Sequence, residues 1–129
     1  MRPTRPSRTG SDRFSGGLPD LDPESVKELD ALIKAMGKPG EQLRRAVERV
    51  CENPSGQRNP RHRYTKKFHN AHRYVNVSKG ATVMEFKTNH WRGLFQLVEV
   101  EKNDVVHQLL VFIPVKGRRF LPADDCPWH

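Results

Sequence analysis

Apolar positions recur along this chain with two different periods, and the change from one to the other divides it. The first period is helical. Val26, Leu29, Leu32, Ile33 and Met36 repeat at intervals of three and four. Asp22 suits an N-cap, Pro23 suits the first helical position, and Glu24 favours the positive end of the helix dipole. Gly37, Lys38, Pro39 and Gly40 then break the pattern. Leu43, Ala46, Val47 and Val50 mark a second helix over 41–51, with Arg44, Arg45, Glu48 and Arg49 off its apolar stripe. So short a link predicts an antiparallel helical hairpin.

Further along, strand-forming residues take over. They predict strands over 72–78, 81–87, 91–101 and 105–115. The breaks are Lys79-Gly80, Thr88-Asn89-His90 and Lys102-Asn103-Asp104, all short enough for hairpins. The last segment, VVHQLLVFIPV, is apolar on both faces, as a central strand would be. Pro114 cannot donate to a ladder, so pairing must stop or bulge there. The expected fold is α+β: an N-terminal helical hairpin packed on a C-terminal antiparallel sheet of about four strands. Residues 1–17, with Phe14 as the one large apolar residue after Met1, read as a flexible basic arm. Residues 18–122 read as a single domain, and 123–129, FLPADDCPWH from its fourth letter on, as a tail without periodicity.

The composition fits one domain with an appended polar part. The chain has 129 residues, 35% of them hydrophobic, and a mean hydropathy of -0.79. The net charge is +8, which favours nucleic acid or another anionic surface as partner. A basic surface kept for solubility is the plainer alternative. No segment approaches the roughly 18 apolar residues of a membrane span. Arg2, Arg5 and Arg8 precede no apolar core, so no secretory signal is expected, and a cytoplasmic protein is. Cys51 and Cys126 are too few for a disulfide framework, and Cys51 falls on an apolar helical face.

Charge is unevenly placed. From 53 to 84 there is no Asp or Glu. That span holds Arg58, Arg61, Arg63, Lys66, Lys67 and Arg73, which we take as candidate RNA-binding residues, with Lys79, His62, His69 and His72 nearby. Tyr64, Phe68 and Tyr74 interleave with the cations. Aromatic faces can stack bases while cations hold phosphates. Equally, Phe68 and Tyr74 can enter the core.

The block MEFKTNHWRGLFQLVEVEKNDVVHQLLVFIPVKGRR, from Met84 to Arg119, carries the candidate chemistry. RNA cleavage without a metal needs a base for the ribose 2′-hydroxyl, cations for the phosphorane and an acid for the leaving 5′-oxygen. Glu85, Lys87, His90 and Arg92 supply these types within one strand–turn–strand unit. Glu85 and Lys87 are two apart and share a strand face. Lys116, Arg118 and Arg119 leave the final strand; Arg118 is the further catalytic candidate, and Lys116 and Arg119 are candidates for RNA contact. Against this, Glu85 and Lys87 can form a surface ion pair, Arg92 can be an edge charge, and His90 can be a plain turn residue. His69 with His72, and Cys126 with His129, have zinc-ligand spacing, but an arginine-rich stretch and a terminal tail are poor settings for it. No metal or cofactor is expected, and no glycine-rich phosphate loop is present.

Two helices, an antiparallel sheet and a basic end resemble the RelE/ParE toxin superfamily, including its HigB-like and phage Gp49-like branches. MEFKTNHWRGLFQL looks like the family's strand pair, in which an acidic residue, a basic residue two positions on and an aromatic–arginine pair follow one another. LLVFIPVKGRR resembles its final apolar strand and basic end. The resemblance covers roughly 18–122. It implies a RelE-like fold and a bacterial or phage toxin of a toxin–antitoxin pair, a metal-independent endoribonuclease that cleaves mRNA on the ribosome. The expected partners are mRNA, rRNA and a cognate antitoxin. The alternatives are a gyrase poison of the ParE branch and a nucleic-acid-binding protein without chemistry. Carried over, Lys87 looks like the active-site basic residue, Arg92 like the phosphate-contacting arginine, and Arg118 or Arg119 like the arginine after the last strand. Glu85 matches the acidic position. The sequence departs from the family in showing no first strand before the helices and a longer, more basic segment over 53–73; no C-terminal aromatic or histidine is clearly placed to work with the arginines, and Phe120 cannot do acid–base chemistry.

Overall fold

One local and one long-range hydrogen bond set where the first strand gives way to the first helix. Asp22 adopts an extended backbone and its side chain accepts a hydrogen bond from the Ser25 hydroxyl. That hydroxyl also accepts from the Phe112 amide at 3.3 Å, so a buried serine extends the edge of the sheet after the strand has ended. These contacts belong to a computed structural model that describes residues 18–54, 64–78 and 80–128. The expected arm over 1–17, and Arg58, Arg61, His62, Arg63, Lys79 and His129, lie outside the described residues.

The fold is α+β, as the sequence predicts, with two helices and a mostly antiparallel sheet. The sheet has six strands rather than about four. In chain order, β1 is Asp20–Leu21, α1 Pro23–Met36, α2 Lys38–Glu52, β2 Thr65–Lys67, β3 Met84–Lys87, β4 Trp91–Lys102, β5 Val105–Ile113 and β6 Leu121–Pro122. The order across the sheet is β1-β5-β4-β3-β2, with β6 paired to the start of β4. β1 runs parallel to β5, and every other pairing is antiparallel.

Several predicted boundaries are corrected. A strand does precede the helices, but it is two residues long and leaves no alternation to read. The second helix begins at Lys38, not near 41, because Pro39 occupies its first turn and Gly37, at φ 64°, makes the whole reversal. Gly40 is buried where the helices meet: a Cβ there would lie 2.6 Å from the Cα of Ile33. The predicted strand over 72–78 is instead a 3-10 turn, Ala71–Arg73, followed by irregular chain. The amides of Tyr74 and Val75 both donate back to the carbonyl of Ala71, so this backbone satisfies itself locally rather than in a ladder. β5 ends at Ile113, directly before Pro114.

Period-two alternation then distributes side chains between two cores. On one face Leu29, Leu43, Ala46, Val47 and Val50 of the helices pack against Phe86, Trp91, Phe95, Leu110, Phe112 and Phe120. On the other face Val83, Leu94, Val115 and Leu121 pack under Ala71 and Val75, joined by Phe68, Tyr74, Val77, Ile113 and Trp128. Phe68, Tyr74 and Trp128 form a trio with ring centroids 5.1–5.8 Å apart. The irregular stretch 68–83 and the chain end up to Trp128 therefore serve as a third layer. Gly93 is required by close approach, since a Cβ would stand 2.9 Å from the carbonyl oxygen of Arg119. No helix among the described residues is long and apolar enough to cross a membrane.

Candidate functional site

Register fixes which candidate residues meet. β3 and β4 pair Glu85 with Leu94 and Lys87 with Arg92. β2 and β3 pair Lys66 with Glu85. Lys66, Glu85, Lys87 and Arg92 are thus cross-strand or same-face neighbours on the sheet face away from the helices.

At the end of the sheet where the β3–β4 turn lies, these strands border an open cleft of about 630 Å³. Lys66, Glu85, Lys87, His90 and Tyr64 supply its titratable groups, and Gln42 and Ala46 of α2 with Thr65, Thr88, Asn89 and Trp91 complete the wall. Thr65 is 4% exposed, and its hydroxyl has no hydrogen-bond partner among the described residues. The turn is pinned from within. Thr88 Oγ1 accepts from the amides of His90 and Trp91 at 3.2 and 3.0 Å. An Arg92 guanidinium nitrogen donates to the carbonyls of Thr88 and, at 2.9 Å, Trp91. The carbonyl of His90 accepts from the Ala123 amide at 2.8 Å. His90 is therefore an exposed side chain on a fixed backbone.

Glu85 is the unusual member. Its carboxylate is 2% exposed. It accepts from Trp128 Nε1 at 2.7 Å and lies 3.6 Å from Lys66 Nζ. A buried carboxylate requires such partners, because an unpaired one is costly to desolvate. Cys126 is buried beside this group. Burial pushes its thiol up, the Glu85 carboxylate adds to that, and a backbone hydrogen bond with Trp128 and the Arg92 and Lys87 cations act against it.

The other predicted cations are placed as follows. Arg118 follows a two-residue reversal in which Lys116 and Gly117 have φ of 51° and 81°. Its guanidinium meets Asp125 at 3.1 Å. Lys116 is exposed. Arg119 turns toward the helices: Glu28 accepts from its amide at 2.7 Å, from the Phe120 amide at 3.2 Å and from its guanidinium at 3.2 Å. Lys67 and Arg73 are exposed, and Lys67 faces a different cavity from Lys66. The sequence reading did not single out Gln42, Thr65 or Trp128, and it weighed Cys126 only as a cysteine and for its spacing to His129. A tryptophan within an aperiodic tail is the one signal that pointed to Trp128, since so large an apolar ring rarely stays in water.

What the cleft can do chemically is hold an anion and move a proton. Lys66 and Lys87 supply charge, while His90, Tyr64 and Glu85 are groups capable of proton exchange. Among the described residues no three His, Cys, Asp or Glu side chains are grouped to hold a metal ion. Comparison with known proteins finds no matching family model, no matching curated protein and no matching solved structure.

Proposed function

We propose that this protein binds single-stranded RNA in the cleft and cleaves it, as the toxin of a toxin–antitoxin pair that acts on mRNA at the ribosome. The observation that carries the reading is the lining of the cleft: Lys66, Lys87, His90, Tyr64 and Glu85 surround one open space of about 630 Å³. In this account Lys66 and Lys87 hold the scissile phosphate. A proton carrier, His90 or Glu85, takes the 2′-hydroxyl proton; O2′ attacks phosphorus, the P–O5′ bond breaks, and the departing 5′-oxygen takes a proton from a second carrier of the cleft. The products are a 2′,3′-cyclic phosphate and a 5′-hydroxyl. Lysine charge serves in place of a metal ion. Arg92 acts by fixing the turn that presents His90. The RelE-like assignment and an antitoxin partner rest on the sequence resemblance.

Induced expression in a bacterium tests this reading. Growth arrest with new mRNA 5′ ends is expected, and a Lys87→Ala/His90→Ala variant should produce neither. Normal growth with no new ends would remove the nuclease reading.

One observation favours a second reading, a nucleic-acid binder without chemistry. Arg92, Arg118 and Arg119 are all engaged by protein groups: turn carbonyls, Asp125 and Glu28. A binder needs only a stripe of cations. Its substitutions would lower affinity additively, each removing about 0.7 from the salt slope on single strands.

A further inference from the structure

A residue of β2 borders the cleft and another borders a second cavity of about 410 Å³. Lys66 and Lys67 are consecutive on this strand. Lys66 lines the cleft and Lys67 lines the second cavity. Around Lys67 the polar lining consists of His69, Asn70, His72, Ser78 and Thr82, over an apolar floor that includes Val77 and Val83. Among the described residues no acidic one lines it, and the sequence has none from 53 to 84. Lys67, His69 and His72 are exposed, and none is in an ion pair among the described residues. Among the described residues β2 is the terminal strand of the sheet, with β3 as its one strand partner.

We propose that this second cavity is a phosphate subsite, which takes the backbone of a single-stranded nucleic acid as it leaves the cleft over β2. The inference rests on the RNA-binding reading of the cleft. The chemistry of the lining selects the ligand. One lysine, two imidazoles, an amide and two hydroxyls offer donors to an anion with several oxygens, and no carboxylate competes for them. Distance permits continuity: from Lys87 at the cleft to Val83 at the cavity is four strand steps, about 13 Å. Successive phosphates of one strand can bridge that span, so the subsite would act on length and affinity rather than on chemistry. Of the two cavities, this one contains neither Lys87 nor His90.

The test is fluorescence anisotropy with single-stranded RNA of increasing length, across a salt series. The proteins are the wild type and a Lys67→Ala/His69→Ala/His72→Ala variant, whose replaced side chains are exposed and leave both cores intact. The wild type should gain affinity once the RNA is long enough to reach past β2. The variant should bind short RNA as the wild type does and lose that gain, with its salt slope smaller by roughly 0.7 for the one lysine charge removed. If the variant keeps both the length gain and the slope, the subsite is overturned while the cleft reading stands. If the wild type binds no RNA of any length, both fall. In a parallel arm, inorganic phosphate that shifts the His69 and His72 imidazole NMR signals without any length gain would assign the cavity to a free anion and overturn the backbone assignment.

Discussion

Replacing Trp128 by Phe removes one hydrogen bond from a buried carboxylate while keeping an aromatic ring in place. The indole Nε1 donates to Glu85 at 2.7 Å, and Glu85 is 2% exposed. A phenyl ring retains contact with Phe68 and Tyr74, whose centroids lie 5.1 and 5.5 Å from the indole. The lost term is then mainly the hydrogen bond, and such bonds to charged groups contribute about 1.5–3 kcal/mol. We expect the W128F protein to be less stable by about 2 kcal/mol. With a urea slope of roughly 2 kcal/mol/M, its unfolding midpoint should fall by about 1 M with the slope unchanged. Glu85→Gln provides the check. In that background the W128F penalty should shrink, because a neutral amide is less costly to leave without the donor. Equilibrium urea unfolding of the four proteins in the cycle measures both effects. A W128F midpoint within about 0.2 M of wild type would refute the view that the chain end clamps the floor of the cleft.

Two further expectations follow from the helical layer. Gly40→Ala should destabilise the protein although alanine is the better helix former. Its Cβ would stand 2.6 Å from Ile33 Cα and 2.8 Å from the Leu32 carbonyl. Parting the two backbones costs about 1–3 kcal/mol, against roughly 1 kcal/mol of propensity gained; a thermal melt at or above the wild-type midpoint would contradict the packing. Cys51 is pushed up from 9.0 to about 11 by burial, with Asp20, Glu48 and Glu52 adding to the effect. A thiol raised on folding contributes stability that is fully present below pH 9 and is lost as pH rises towards 11. The stability difference between wild type and Cys51→Ala, followed by urea unfolding at each pH, should therefore move against the wild type over that window. A difference that stays constant would show the thiol to be no harder to ionise in the fold than out of it.

The helices were legible because their cores are periodic: Leu29 in α1 and Leu43, Ala46, Val47 and Val50 in α2 are the buried apolar side chains. β4 and β5 were legible for the same reason, and Pro114 marked where β5 stops. What escaped the sequence was held by single contacts rather than by period. β1, β2 and β6 have two or three residues each, too few to alternate. The stretch 72–78 has strand-like residues, yet Tyr74, Val75 and Val77 cover the sheet from outside instead of joining it. The candidate site shows the same division. That Glu85 and Lys87 share a face follows from a spacing of two. That Glu85 is buried follows from Trp128, which is 43 residues away in sequence. Arg119 sat beside Arg118 in every sequence argument, yet one contacts Glu28 and the other Asp125.

The most direct test of the RNA-cleaving cleft is to map the 5′ ends of an mRNA added to purified bacterial ribosomes with the wild-type protein or the Lys87→Ala/His90→Ala variant. The account predicts new 5′-hydroxyl ends with the wild type alone. Intact mRNA with both proteins, or equal cutting by both, would contradict it.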